Sequence, residues 1–359
     1  MISPNEHLLA IDRVVERMDE RAQYVRLDRN ERVTPWPGKT FSEMLATLRP
    51  EQFCSYPDPS PLYHRLGATL GIPEDHLYLT NGSDAAIRMA FQTFVRPGDR
   101  ILQPDPTYAM YPIYTRIFRG EVRAVAYDGS LQLDAGRIFE ELKFCPRILA
   151  VANPDQPTGA ILPEETLRQF AQAALEAGSL FIIDEAYYPF YPHTAIPLVR
   201  EFENVLVTRT FSKVGGLAGL RLGYMVAQPG VIRHVQRIRG AHEVNAMAIA
   251  MGTYVLDHPE LTTANLNEIE AGRRVLADAC SGLGLELPDC PTNFQLVRWA
   301  GMKDTGPLVA ALKGKGYLVK GSFSSDCISN CIRVTLAGPE IMVGFVAALR
   351  EVMAGLSRP

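Results

Sequence analysis

The chain has 359 residues, 47% hydrophobic and 21% charged, and its 36 basic and 40 acidic side chains give a net charge of −4. That balance excludes a globally disordered chain, and with no basic block there is no electrostatic footprint for nucleic acid. The longest apolar stretch, residues 247–256, is far short of the roughly 20 residues that span a bilayer, so no membrane segment is expected.

The length suggests about two domains with ample core. The opening segment MISPNEHLLAIDRVVERMDER is charged throughout, so no secretory signal and a cytoplasmic location are expected. Within it, Leu8, Leu9, Ile11, Val14, Val15 and Met18 recur at helical spacing and predict an amphipathic helix. Pro-rich loops follow at 33–38 and 56–61. From Leu62 strands alternate with helices. Apolar runs predict strands at 77–80, 100–103, 121–127, 147–152, 180–184 and 204–208. Such alternation argues for an α/β fold, a mostly parallel central sheet with helices on both faces. A long helical region is expected from 231 to 279, broken near 257–259. Strands at 294–299, 317–320 and 331–336 and helices at 307–313 and 339–356 predict a smaller α+β unit. The first helix is expected to pack on that unit. Six cysteines, at 54, 145, 280, 290, 327 and 331, form no C-x-x-C and read as buried reduced thiols, with no metal site.

Ligands of parallel sheets bind beyond the carboxyl ends of the strands. Four such ends carry polar groups: Gly82-Ser83-Asp84-Ala85, the segment 153–159, Asp184-Glu185-Ala186-Tyr187, and Thr210-Phe211-Ser212-Lys213 with Arg221 beyond. Alone, Gly82-Ser83-Asp84 is an ordinary helix cap. With Thr210, Ser212 and Arg221 it offers free N–H groups, hydroxyls and a fixed cation, which suits a phosphate dianion. A lysine is usually a solvated surface charge. Lys213 instead follows a buried strand among glycines, where desolvation lowers its pKa and favours a Schiff base. Asp184 reads as a helix cap, a magnesium ligand or the anionic partner of a pyridinium nitrogen. The set as a whole matches the needs of pyridoxal phosphate. Tyr108 is placed to stack on the ring, and Asn153 and Tyr187 to bond its phenolic oxygen.

The motifs Tyr56-Pro57-Asp58, Asn81-Gly82-Ser83-Asp84, Pro106-Thr107-Tyr108, Asn153-Pro154-x-x-Pro157-Thr158-Gly159, Asp184-Glu185-Ala186-Tyr187, Ser212-Lys213, Arg221-Leu222-Gly223-Tyr224 and Ile332-Arg333-Val334-Thr335 stand in a telling order. In them the chain resembles the fold-type I, class I/II aminotransferases, and most closely the histidinol-phosphate aminotransferase branch. The resemblance implies that Lys213 is the Schiff-base lysine and proton shuttle and Asp184 the partner of the pyridine nitrogen. It implies that Asn153 and Tyr187 bond the ring oxygen and Tyr108 stacks. Gly82, Ser83, Asp84, Thr210, Ser212 and Arg221 would form the phosphate cup. Arg333 would clamp the substrate's α-carboxylate. Tyr56 would reach the cofactor phosphate of a neighbouring subunit, which implies a homodimer.

Departures from the family pattern fall around the substrate. Asn30-Glu31-Arg32 stands where Asn-Glu-Asn is usual, so Asn30 and Arg32 are expected at the substrate entrance, Arg32 as an extra cation. Lys320 replaces an arginine implicated in binding the substrate phosphate. Glu243 is expected to add an anion nearby. The expected reaction moves an amino group between a histidinol-phosphate-like donor and a 2-oxo acid such as 2-oxoglutarate. A decarboxylase or a lyase or cyclase on the same cofactor is the alternative, and a non-catalytic cofactor-binding protein the third. Expected units are 1–50 as an arm and part of the small domain, 51–250 as the large cofactor domain, and 251–359 as the small domain.

Overall fold

A computed structural model describes residues 2–11 and 19–356. Its strands are β1 (Val25–Leu27), β2 (Leu77–Thr80), β3 (Arg100–Asp105), β4 (Glu121–Ala126), β5 (Ile148–Ala152), β6 (Leu180–Asp184), β7 (Val205–Thr210), β8 (Gly223–Ala227), β9 (Phe294–Arg298), β10 (Tyr317–Val319) and β11 (Cys331–Thr335). Seven form one sheet in the order β2-β8-β7-β6-β5-β3-β4. β3 to β7 run parallel to one another, and β8 is antiparallel to both β7 and β2.

Side-chain alternation along these strands feeds two cores. On one face Leu149, Val151, Phe181, Ile183, Val205 and Val207 pack against helices such as Glu164–Glu176 and Ala246–Asp257. On the other face Ile148, Ala150, Ile182, Leu206 and Met225 meet helices Ser83–Phe94, Met110–Ile117 and Pro229–Gln236. Each buried Val, Leu, Ile, Phe or Met among these contributes roughly 1.5–3 kcal/mol, an upper range for area removed from water. Strands buried on both sides explain the continuous apolar runs, and the burial leaves their carboxyl ends as the place where polar groups can face a ligand.

A second core gathers Leu27 from the N-terminal segment with Ile269, Leu276, Val297, Val319, Val334 and Phe345. Here β1 pairs in parallel with β10, and β9 pairs antiparallel with β11. The long helix Pro259–Leu283 supplies the first side of this core and the helix Pro339–Leu356 the other. The change of core falls at Asp257-His258-Pro259, where the sequence breaks the helix.

Several expectations change. The first helix is replaced by a 3₁₀ turn, Glu6–Ala10, and a second one at Asp19–Gln23; Val14, Val15 and Met18 lie outside the described residues. Leu8 and Leu9 are 37% and 68% exposed, and His7 Nε2 lies 3.1 Å from the Ile117 carbonyl, beside the sheet rather than the second core. β8 is a further strand of the sheet that the apolar runs do not predict. The region from 231 to 279 is three helices, Pro229–Gln236, Ala246–Asp257 and Pro259–Leu283: the break near 257–259 is present, and a further loop that contains Gly240 separates the first two. The helix Gly38–Ala46, in the stretch expected to join the small domain, buries Met44 in a core of the sheet. Cysteines 280, 290 and 331 are buried, but Cys54 and Cys145 are exposed, and the six are free thiols. Among the described residues no helix is long and apolar enough to cross a membrane, and no cluster of His, Cys, Asp or Glu is arranged to hold a metal ion.

Candidate active site

A cavity of about 170 Å³ opens at the carboxyl ends of the sheet. Larger concavities exist elsewhere, but this one collects the chemistry. Ser83, Asp84, Tyr108, Gln156, Asp184, Tyr187, Thr210, Ser212, Lys213 and Arg221 line it.

Its anion-binding end comes from a close approach of helix and strand. Gly82, with φ +83°, precedes the helix Ser83–Phe94, and a Cβ there would meet Arg221 Nη2 at 2.7 Å. Gly223 opens β8, and a Cβ on it would meet Ser83 N at 2.4 Å. Both glycines are therefore needed for the free N–H groups of the helix to sit beside the guanidinium. The Thr210 and Ser212 hydroxyls are 2.9 Å apart, and Arg221 Nη1 lies 3.5 Å from Ser212 Oγ. N–H groups, two hydroxyls and a cation converge in a cradle that any side chain on Gly82 would fill. This donor set fits the phosphate of pyridoxal phosphate.

Asp184 closes β6 and is 4% exposed. Register pairs it with Thr208 on β7, whose hydroxyl donates to Asp184 Oδ1 at 2.8 Å. Burial raises this carboxyl to about 6, against the pull of the Thr208 hydroxyl and the Ala186 N–H, while nearby Asp84 raises it further. The next residue, Glu185, is turned the other way by strand alternation. It forms a buried ion pair with Arg209 at 2.7 Å, which locks β6 to β7 behind the cavity.

Lys213 follows β7. Its Nζ donates to the Arg29 carbonyl at 3.1 Å. Burial and the charge of Arg333 lower its amine to about 7, opposed by Glu31 and Asp184. A neutral amine at physiological pH is the form that attacks an aldehyde. Tyr108 donates its hydroxyl to Asp84 Oδ1 at 3.1 Å, and burial raises its pKa. Tyr187 accepts from Asn30 Nδ2 at 2.8 Å, and burial raises its pKa too.

Asn30 is held by bonds between distant parts of the chain. Its N–H donates to Thr335 Oγ1 at 2.9 Å, and its carbonyl accepts from Asn293 Nδ2 at 2.9 Å. Arg333 is 5% exposed, and its Nη2 donates to the Asp28 carbonyl at 2.6 Å. Its Nε is buried without a partner. A buried guanidinium with an unused donor is costly unless an anion completes it.

Not every expected residue joins this group. Asn153 is not among the residues that line the cavity: its Nδ2 donates to the Leu162 carbonyl at 3.1 Å and its Oδ1 accepts from the Leu162 N–H at 2.8 Å. Nδ2 carries a second hydrogen, so one donor of the amide remains for a ring oxygen. Gln156, in the same loop and directly before Pro157, lines the cavity instead. Sequence reasoning missed it because two X-Pro steps in one motif leave the facing residue ambiguous. Between the two sits Asp155, wholly buried, accepting from Thr107 at 2.6 Å and Thr158 at 2.8 Å. Burial raises it to about 7.

Arg32 is no free cation at the entrance. It bonds Asn265 at 2.6 Å and pairs with Glu268 at 2.8 Å. Glu243 is not near Lys213 either. It lines a separate cavity of about 420 Å³ with Tyr63, Tyr78 and His242. Tyr56 is 81% exposed and stacks on His242 with ring centroids 4.2 Å apart, outside its own chain's cavity. Lys320 is exposed, and its backbone bridges that of Arg333.

The family profile "Aminotransferase class I and II" matches residues 61–343. The chain belongs to this aminotransferase family. It is accordingly a pyridoxal-phosphate-dependent enzyme of fold type I. A histidinol-phosphate aminotransferase of Burkholderia pseudomallei is 32% identical over 333 residues, covering 91% of this chain and 92% of that one. The solved histidinol-phosphate aminotransferase of Sinorhizobium meliloti in complex with pyridoxal-5'-phosphate superposes with a TM-score of 0.89 at 24% identity, covering 98% of each chain. L-threonine-O-3-phosphate decarboxylase of Porphyromonas gingivalis shares the fold, with a TM-score of 0.77 at 21% identity over 92% of this chain and 99% of that one.

Proposed function

We propose that this aminotransferase moves an amino group from a donor resembling histidinol phosphate to a 2-oxo acid such as 2-oxoglutarate, with Lys213 as the covalent attachment point of the cofactor. The observation that carries the substrate reading is Arg333, a buried guanidinium with an unpartnered Nε whose charge is felt at Lys213. Such a group calls for an anionic substrate. The donor class is supported by the relatives named histidinol-phosphate aminotransferase.

Bound pyridoxal phosphate supplies an electron sink for the electrons released at the substrate Cα. The protein's part then follows from its own groups. Lys213 Nζ would hold the cofactor and, as a free amine, would take the proton from the substrate Cα. Its lowered pKa suits a base at neutral pH. Asp184, held by Thr208, keeps the ring nitrogen protonated. Gly82, Ser83, Thr210, Ser212 and Arg221 hold the phosphate. Tyr108 packs against the ring, and Tyr187 and Gln156 flank it. Arg333 takes the substrate anion, and Lys320 gives a mobile charge at the rim. Tyr56, exposed on its own chain, completes a neighbouring site in a homodimer.

Single-turnover spectra test the reaction. Purified protein is mixed with phosphorylated, aromatic and guanidino amino donors in turn. Conversion of the cofactor to its amine form with release of a carbonyl product supports transamination. Carbon dioxide release without that conversion moves the reaction to the decarboxylase class. No conversion with any donor leaves a binding protein. Sedimentation of the purified enzyme as a fully active monomer would rule out the role given to Tyr56.

A further inference from the structure

Arg32 departs from the family pattern, yet it does not face the substrate. Its Nη1 donates to Asn265 Oδ1 at 2.6 Å, its Nη2 to Glu268 Oε2 at 2.8 Å, and its guanidinium carbon lies 4.8 Å from the Trp36 ring centre. Asn265 is 3% exposed, on the helix Pro259–Leu283. Its Nδ2 donates to the Val214 carbonyl at 2.7 Å, immediately after Lys213. Trp36 Nε1 donates to the Gly216 carbonyl at 3.3 Å, and a Cβ on Gly216 would meet Arg32 and Trp36 at 2.8 Å. At the other end of the lysine, Nζ donates to the Arg29 carbonyl. Residues 29–36 thus grip the lysine segment twice, at its amine and at the backbone just beyond it.

The order of donors and acceptors gives Arg32 a definite task. An asparagine amide has an acceptor end and a donor end of nearly equal size, and either can point either way. Arginine only donates, so Arg32 claims Oδ1 and leaves Nδ2 aimed at Val214. Lysine cannot hold Oδ1 and Glu268 at once in this geometry, because it lacks the planar fork. Glu268 balances the charge, so the arrangement adds little net field to the cavity.

Resting on the reading of Lys213 as the cofactor-bearing residue, we infer that Arg32 and Asn265 are positioning residues for Lys213. Arg32 orients the Asn265 amide, and that amide fixes the Val214 carbonyl and hence the direction from which Nζ enters the cavity.

Two variants that leave this idea exposed are Arg32→Lys, which keeps the charge, and Asn265→Leu, which is neutral and keeps the number and branching of side-chain heavy atoms. Neither alters the net charge of the site, so a change in its titration is not a simple field effect. Each is loaded with pyridoxal phosphate, and the visible absorbance is titrated against pH alongside kcat, KM and melting temperature. Borohydride fixes the cofactor in a parallel sample. The expected result is label on Lys213 with the absorbance midpoint displaced by about half a pH unit or more. kcat is expected to fall about tenfold while KM changes less than about threefold, because the misplaced amine affects the reacting geometry more than substrate capture. The midpoint decides: unmoved, with or without a loss of stability, it overturns the positioning role. Should Asn265→Leu fail to fold, Arg32→Lys gives the same reading. Absence of label on Lys213 in the unaltered enzyme would instead remove the assignment of Lys213 on which the proposal rests.

Discussion

The two sides of the cavity are built by different means. On the cofactor side each group sits at or just beyond the end of a strand of one sheet. Asp184 closes β6, Lys213 follows β7, and Ser83 follows β2. Strand register alone brings Asp184 opposite Thr208. On the substrate side the groups come from short strands near opposite ends of the sequence. Asn30 meets Thr335, and Arg333 meets the Asp28 carbonyl, only because the N-terminal arm docks on the second unit. A continuous hydrogen-bonded sheet resists change cooperatively, whereas a set of single side-chain bonds tolerates replacement one at a time. Chemistry is therefore expected to be fixed by the first side and specificity tuned by the second.

That contrast can be broken at several points. The largest effect belongs to Lys213→Ala, which should remove the covalent link and lower turnover by more than about a thousandfold, since proton transfer by a positioned base alone gives 10²–10⁴. Mass spectrometry after borohydride and steady-state rates check it. Next is a pH effect in protein stripped of cofactor. Burial lowers the Lys213 amine to about 7, so its neutral, reactive form is lost as pH falls through 7. Attachment of pyridoxal phosphate should quicken about tenfold per pH unit up to that point and then level off. A continued rise toward pH 10 would describe an ordinary exposed lysine instead. On the substrate side Arg333→Lys should lower kcat/KM about 10- to 100-fold, in line with roughly 1.5–3 kcal/mol for a charged hydrogen bond, with the cofactor spectrum unchanged. A changed spectrum would mean the two sides are not separable. Smallest is Lys320→Ala, whose exposed charge should alter KM by less than about threefold and fade with salt.

How much of this was legible in the sequence follows the same division. The parallel strands carry unbroken apolar runs, and their ends carry compact motifs, so Asp184, Lys213 and the anion cradle could be found from local spacing. β8 is not legible in the same way, because Gly223–Ala227 opens with a glycine inside a motif and half of its pairing is with β2, about 145 residues earlier in the chain. The Asn153 loop misled because only packing decides which amide lines the cavity, and Gln156 does. Arg32 misled for a related reason. Charge near an anion site suggests a ligand contact, yet its partners Asn265 and Glu268 lie on a helix whose place against the arm no local pattern reveals. Leu9 shows the converse: helical periodicity without a surface to cover leaves the side chain in water.

The parallel pairing of β1 with β10 also bears on how the chain is made. During synthesis Val25 leaves the ribosome early, while its partner Tyr317 comes last among the paired strands apart from β11. The seven-stranded sheet can close first, but the open edge of β1 has no strand partner until then. Such late closure of a distant pair slows the final step and leaves an unpaired strand exposed during it. Any truncation before Tyr317 would strand β1 permanently, so loss of the chain's last part would be felt first at its beginning, beside Asn30.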